Sequence, residues 1–92
     1  MPHYVTVKKL ESLRACNESI TRFEETFGKR VRVSHKIIPK LVGKFSIYWC
    51  ADELLLPYNY KIFWTYIDTY GINSISTELL WTKLIDLYLE QE

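Results

Sequence analysis

The sequence predicts an all-α fold: a bundle of five to six short helices in one domain over residues 1–92, with one extended segment near 29–33. Three observations carry this. Apolar residues recur at three- and four-residue spacing along most of the chain, Thr, Asn or Ser stands ahead of most of those stretches, and each glycine stands just past one. With 48% hydrophobic and 15% aromatic residues, the chain lies outside the disordered range and carries enough apolar surface for a single core.

Thr6 caps a first helix whose Val7, Leu10 and Leu13 share a side. That helix ends by Arg14, because Asn17 caps the next one, with Glu18 at its positive dipole end. Ile20, Phe23 and Phe27 form the apolar face of helix two, and Gly28 stops it. Arg30-Val31-Arg32-Val33 alternates basic and apolar residues, which reads as an extended piece. No second alternating run offers it a partner strand, so a linker with Val31 and Val33 turned inward is expected. Ser34 opens helix three, with Ile37, Ile38, Leu41 and Val42 apolar and Gly43 at its end. Pro39 either sits in its first turn or kinks it.

Ser46 caps helix four, whose inward face is Ile47, Cys50, Ala51, Leu54 and Leu55, and Pro57 ends it. Helix five runs from about Asn59 to Tyr70 and is apolar or aromatic around most of its girth, with Gly71 as its stop. Such a helix is buried on several sides or serves an interface. Ser76 caps helix six, with Leu80, Trp81, Leu84, Ile85, Leu87 and Tyr88 as its stripe.

Charge is divided unevenly. Residues 1–44 hold ten Lys/Arg against four Asp/Glu, and residues 45–92 hold two against seven. A basic end of this kind is the footprint of an anionic partner, or the two halves attract each other in the fold. No apolar run approaches the length of a membrane span, and no apolar signal region follows Met1. With only Cys16 and Cys50, the chain is not a secreted disulfide scaffold, and a cytoplasmic setting with reduced, packed thiols is expected.

The residues Leu10, Leu13, Ala15, Cys16, Phe23, Phe27, Gly28, Val31, Val33 and Ser34 form one pattern. Ile47, Trp49, Ala51, Leu54 and Leu55 continue it. It reads as a short helix, Ala-Cys, Phe-x-x-x-Phe-Gly, a Val-x-Val-Ser cap, then a helix with Trp, a small residue and paired Leu. Over residues 6–56 the chain thereby resembles a family of small helical phage and prophage proteins. The resemblance implies a helical fold for that part and a phage origin. It transfers no active site, and beyond Pro57 the aromatic helices depart from the family's Ala-rich charged ones.

Little points to catalysis. Cys16 with His35 is the nominal nucleophile–base pair, but Ala15-Cys16 lies where two helices meet. Zinc would need Cys16, Cys50, His3 and His35, none at chelate spacing. Asp52 and Glu53 are neighbours on a helix and diverge, and three isolated glycines make no phosphate loop. No enzyme activity, metal or cofactor is expected.

Binding features are stronger. Lys36, Lys40 and Lys44 recur every four residues and on one helix would share a face. With Lys29, Arg30 and Arg32 they make a basic stripe free of acids over residues 29–44, suited to phosphates or to an acidic protein surface. The alternative is a solvated face opposite Ile37, Ile38, Leu41 and Val42. The aromatic block, with Tyr58, Tyr60 and Trp64, supplies either core or an interface. The expectation is a small, non-catalytic, phage-encoded binding or inhibitor protein of the anti-defence (anti-CRISPR included) or host-takeover type. It would occupy a surface of a host protein or complex in the host cytoplasm, with no membrane involved. The alternative is a nucleic-acid-binding accessory protein using the basic stripe. Self-association through the aromatic helices is a third expectation.

Overall fold

The computed structural model describes residues 3–91 and is mostly helical. It falls into two compact units, one reaching Ser34 and one starting at His35. The first unit holds strand β1 (Tyr4–Thr6), helix α1 (Val7–Ser12), helix α2 (Asn17–Phe27) and strand β2 (Arg30–Arg32). β1 and β2 pair antiparallel, with Val5 opposite Val31, Tyr4 opposite Arg32 and Thr6 opposite Arg30. Val7 N donates to Lys29 O at 2.9 Å and Val33 N to His3 O at 2.8 Å, extending the ladder at both ends.

This small sheet corrects two expectations: the fold is not purely all-α, and residues 30–32 are a strand, not an unpaired linker. The partner, Tyr4-Val5-Thr6, consists of three strong β-formers but is too short to display an alternation.

Thr6 ends the strand and caps α1, its Oγ1 accepting from Lys9 N at 3.0 Å. Arg14, at φ 61°, turns the chain out of α1 in a left-handed conformation uncommon outside glycine. The N-cap of α2 is Cys16 and Asn17 is its first residue, so Asn17 is not the cap. Phe23 is buried, and its ring centroid lies 5.3 Å from that of half-buried Phe27. Gly28 closes the helix at φ 81°, ψ −146°, a combination open essentially to glycine alone. Val5, Val7, Leu10, Phe23 and Val33 are the buried apolar residues of this unit.

The second unit begins with a 3-10 turn, His35–Ile37, leading into the four-residue helix α3 (Ile38–Leu41). Pro39 occupies the first turn, where its missing N–H has no helical partner to lose. Ser46 caps α4 (Ile47–Leu54), accepting from Trp49 N at 3.3 Å. α5 (Pro57–Tyr70) starts two residues before the expected Asn59, with Pro57 as its opening residue. Leu55 and Leu56 are extended ahead of it, as residues preceding proline prefer. Gly71 ends α5 at φ 79°, a 3-10 turn Ile72–Ser74 follows, and Ser76 caps α6 (Thr77–Glu90) by accepting from Leu79 N at 3.1 Å.

α6 lies against α3, α4 and α5, and its stripe of Leu80, Trp81, Leu84, Ile85, Leu87 and Tyr88 is buried as expected. Phe63 from α5 and Ile85 from α6 are the most enclosed large side chains. One polar knot crosses this core. At the end of α6, Gln91 N bonds back to Tyr88 O, and buried Asn59 Nδ2 donates to Leu87 O at 3.0 Å. The Gln91 side chain reaches across the α4–α5 junction. Its Oε1 accepts from Leu56 N at 2.6 Å and from Asn59 Nδ2 at 3.3 Å, while its Nε2 donates to Leu54 O at 3.1 Å. These bonds serve backbone groups that the break between two helices leaves without partners.

Candidate interaction surface

The six basic residues divide three and three between the units. Lys29 lies beyond Gly28, its Nζ 2.9 Å from Glu24 Oε2, and that hydrogen bond raises its pKa. Arg30 and Arg32 project from one side of β2, and the Arg30 guanidinium lies over the Tyr4 ring at 4.8 Å from its centroid. In the second unit Lys36 belongs to the 3-10 turn, Lys40 to α3, and Lys44 to the loop beyond Gly43, at φ 77°. All three are exposed, but they do not share a face of one helix. The expected four-residue periodicity fails because the α-helix around Pro39 is a single short turn. At the start of this segment His35 Nε2 lies 2.7 Å from Asp86 Oδ1 of α6.

The thiols differ. Cys16 is exposed, not packed as expected, because its N-cap position lies outside the buried stripe of α2. The Ser19 hydroxyl, 3.1 Å from its sulfur, lowers its pKa. Cys50 is half-buried, and burial pushes its thiol up to about 12. Among the described residues no three His, Cys, Asp or Glu side chains converge. Nor is any helix there long and apolar enough to cross a membrane.

The aromatic block is arranged along the outer side of α5. Asn59, Phe63 and Ile67 take the inner positions, which leaves Tyr58 75% exposed and Tyr70 61% exposed. Trp64 is half-buried and stacks on Tyr48 of α4, ring centroids 5.6 Å apart and 18° from parallel. Tyr60 meets the Trp64 ring edge-on at 6.2 Å, and its hydroxyl bonds to Asp52, which raises its pKa. Trp64 Nε1 is sealed from solvent and directed toward the Tyr60 oxygen, an interaction that offsets part of the rise in the Tyr60 pKa.

Open hollows flank the α5 ridge. One of about 390 Å³ is walled by Tyr58, Lys61, Ile62, Tyr66, Tyr70 and Lys83, with Lys83 Nζ 5.4 Å from the Tyr66 ring centroid. Another of about 560 Å³ is walled by Tyr48, Trp64, Ile67, Asp68, Gly71 and Ile72. Of the three block residues singled out from sequence as core or interface, Tyr58 is exposed while Tyr60 and Trp64 are half-buried. Tyr48, Ile72 and Lys83 were not singled out, since they come from other elements and only the packing brings them alongside α5. Comparison with protein-family models, with curated proteins and with solved structures returns no match to this chain.

Proposed function

We propose that this is a non-catalytic binding protein that works by covering a surface of another protein with the aromatic face of α5. The observation that carries the reading is the clustering of exposed apolar side chains. Leu56, Tyr58, Tyr70 and Ile72 are all more than a third exposed and lie on α5 or next to its ends, and Tyr48 of α4, likewise exposed, stacks on Trp64 at its middle. Exposed aromatic groups with polar tips are the composition of interface hot spots. The Ala15-Cys16 to Leu54-Leu55 pattern supports a phage-encoded inhibitor of the anti-defence or host-takeover type, acting on a host protein or complex in the cytoplasm.

Capture of partners from host lysate tests this. Tyr58→Ala and Tyr70→Ala should lose the captured partner while Lys36→Glu/Lys40→Glu keeps it. Retention of the same partner by both tyrosine variants would refute the reading. A second reading, nucleic-acid binding, is favoured by Arg30 and Arg32 standing side by side next to Tyr4. Duplex and single-strand probes at low salt decide it, since an absence of binding to both eliminates it.

A further inference from the structure

We infer that two copies of this chain pair through antiparallel α5 helices, about a two-fold axis crossing α5 between Trp64 and Thr65. The inference rests on the reading of the α5 face as an interaction surface and names its occupant in the free protein.

The charges on the ridge select this arrangement. Tyr58, Lys61, Thr65 and Asp68 are exposed and recur every three or four residues, so they form one stripe along α5. Lys61 and Asp68 are its charged members and lie two turns apart, about 10 Å along the axis, on either side of the midpoint. A parallel copy would set Lys61 against Lys61 and Asp68 against Asp68. An antiparallel copy sets Lys61 against Asp68 twice, as a self-complementary two-fold interface requires. The helix dipoles also oppose in that orientation.

Shape agrees with charge. The same axis brings Tyr58, the most exposed of the large apolar side chains, against Gly71 of the copy. Gly71 has no side chain and forms part of the hollow walled by Tyr48, Trp64 and Ile72, so the tyrosine ring has a seat. At the centre stands Thr65, small enough for close approach. The Thr65 hydroxyl donates to Lys61 O at 2.8 Å and the Thr69 hydroxyl to Thr65 O at 2.7 Å, so neither needs a new partner in the seam.

Sedimentation velocity over a concentration series tests the pairing with the full chain, Lys61→Asp, Asp68→Lys and the double exchange Lys61→Asp/Asp68→Lys. Both positions are exposed, and circular dichroism checks that each variant keeps its helices. The full chain should dimerise, each single variant should weaken the dimer at least tenfold, and the double exchange should restore it. A chain that stays monomeric throughout overturns the pairing, as does a dimer indifferent to both single variants or a double exchange that fails to restore it. A monomeric chain whose captured partner is lost on Tyr58→Ala would overturn the pairing and leave the proposed function standing. The charge-exchange pattern together with capture indifferent to Tyr58→Ala and Tyr70→Ala would do the reverse.

Discussion

Replacing Asn59 by alanine should destabilise the second unit by about 2 kcal/mol. Asn59 Nδ2 is the donor that reaches Leu87 O, and the helical donor that would otherwise bond there, Gln91 N, goes to Tyr88 O instead. The net worth of such a bond is about 0.5–1.5 kcal/mol, and a buried acceptor left without a donor costs about 1–3 kcal/mol. The two estimates overlap, which sets the total near 2 and below about 4 kcal/mol. For a domain of this size that lowers Tm by roughly 8–16 °C. Urea unfolding followed by tryptophan fluorescence is the assay, because Trp49, Trp64 and Trp81 all lie in the second unit. The midpoint should fall with the slope unchanged. Asn59→Asp, which keeps the volume but places a carboxylate beside the same carbonyl, should cost more than alanine at neutral pH. A loss under about 0.5 kcal/mol for Asn59→Ala would show that the Leu87 carbonyl does not depend on this donor, and the account of the knot would fall.

Thiol labelling at neutral pH should modify Cys16 in the native protein well before Cys50, since one thiol is exposed with a lowered pKa and the other is half-buried with a raised one. Cys50 holds its proton up to about 12 when folded but releases it near the ordinary thiol value when unfolded. Its contribution to stability is therefore complete below about pH 9 and is lost at about 1.4 kcal/mol per pH unit toward 12, so Cys50→Ala should make the alkaline loss of stability shallower by that amount. Gly28→Ala should cost about 1–3 kcal/mol by strain alone, because nothing lies within 4 Å of the added carbon while φ is 81°; an unchanged denaturation midpoint would contradict this. Ser76→Ala should remove about 1 kcal/mol through the lost cap of α6, whereas Ser76→Asp should retain it, again by denaturation midpoint.

Much of the helical layout was legible because its signals are local. Thr6, Ser46 and Ser76 cap the helices they precede, Gly28 and Gly71 stop the ones they follow, and the α6 stripe is the buried one. What could not be read depends on residues distant in sequence, or on a local signal with two meanings. Val31 lacks a visible partner until residues 4–6 are folded back beside it. Pro57 suits a helix end and a first helical position equally well, and here it takes the second role. The lysines at 36, 40 and 44 have helical spacing, but their backbone is helical only in part, so periodicity alone misplaced them. On α5 the sequence marked an aromatic block but left open whether it filled the core or faced out, and the structure divides it, with Phe63 inside and Tyr58 and Tyr70 exposed. The contributions of Tyr48, Ile72 and Lys83 arise from packing that no local pattern encodes.

The clasp between β1 and β2 bears on synthesis as well as on the finished molecule. A ribosome releases Tyr4-Val5-Thr6 ahead of Arg30–Arg32, and its hydrogen-bonding groups have no strand partner until those residues emerge. At roughly 5–20 residues per second, that interval lasts on the order of one to several seconds. During it the nascent segment is unpaired and hydrated, and a length of three residues keeps it a poor template for strand pairing with neighbouring chains.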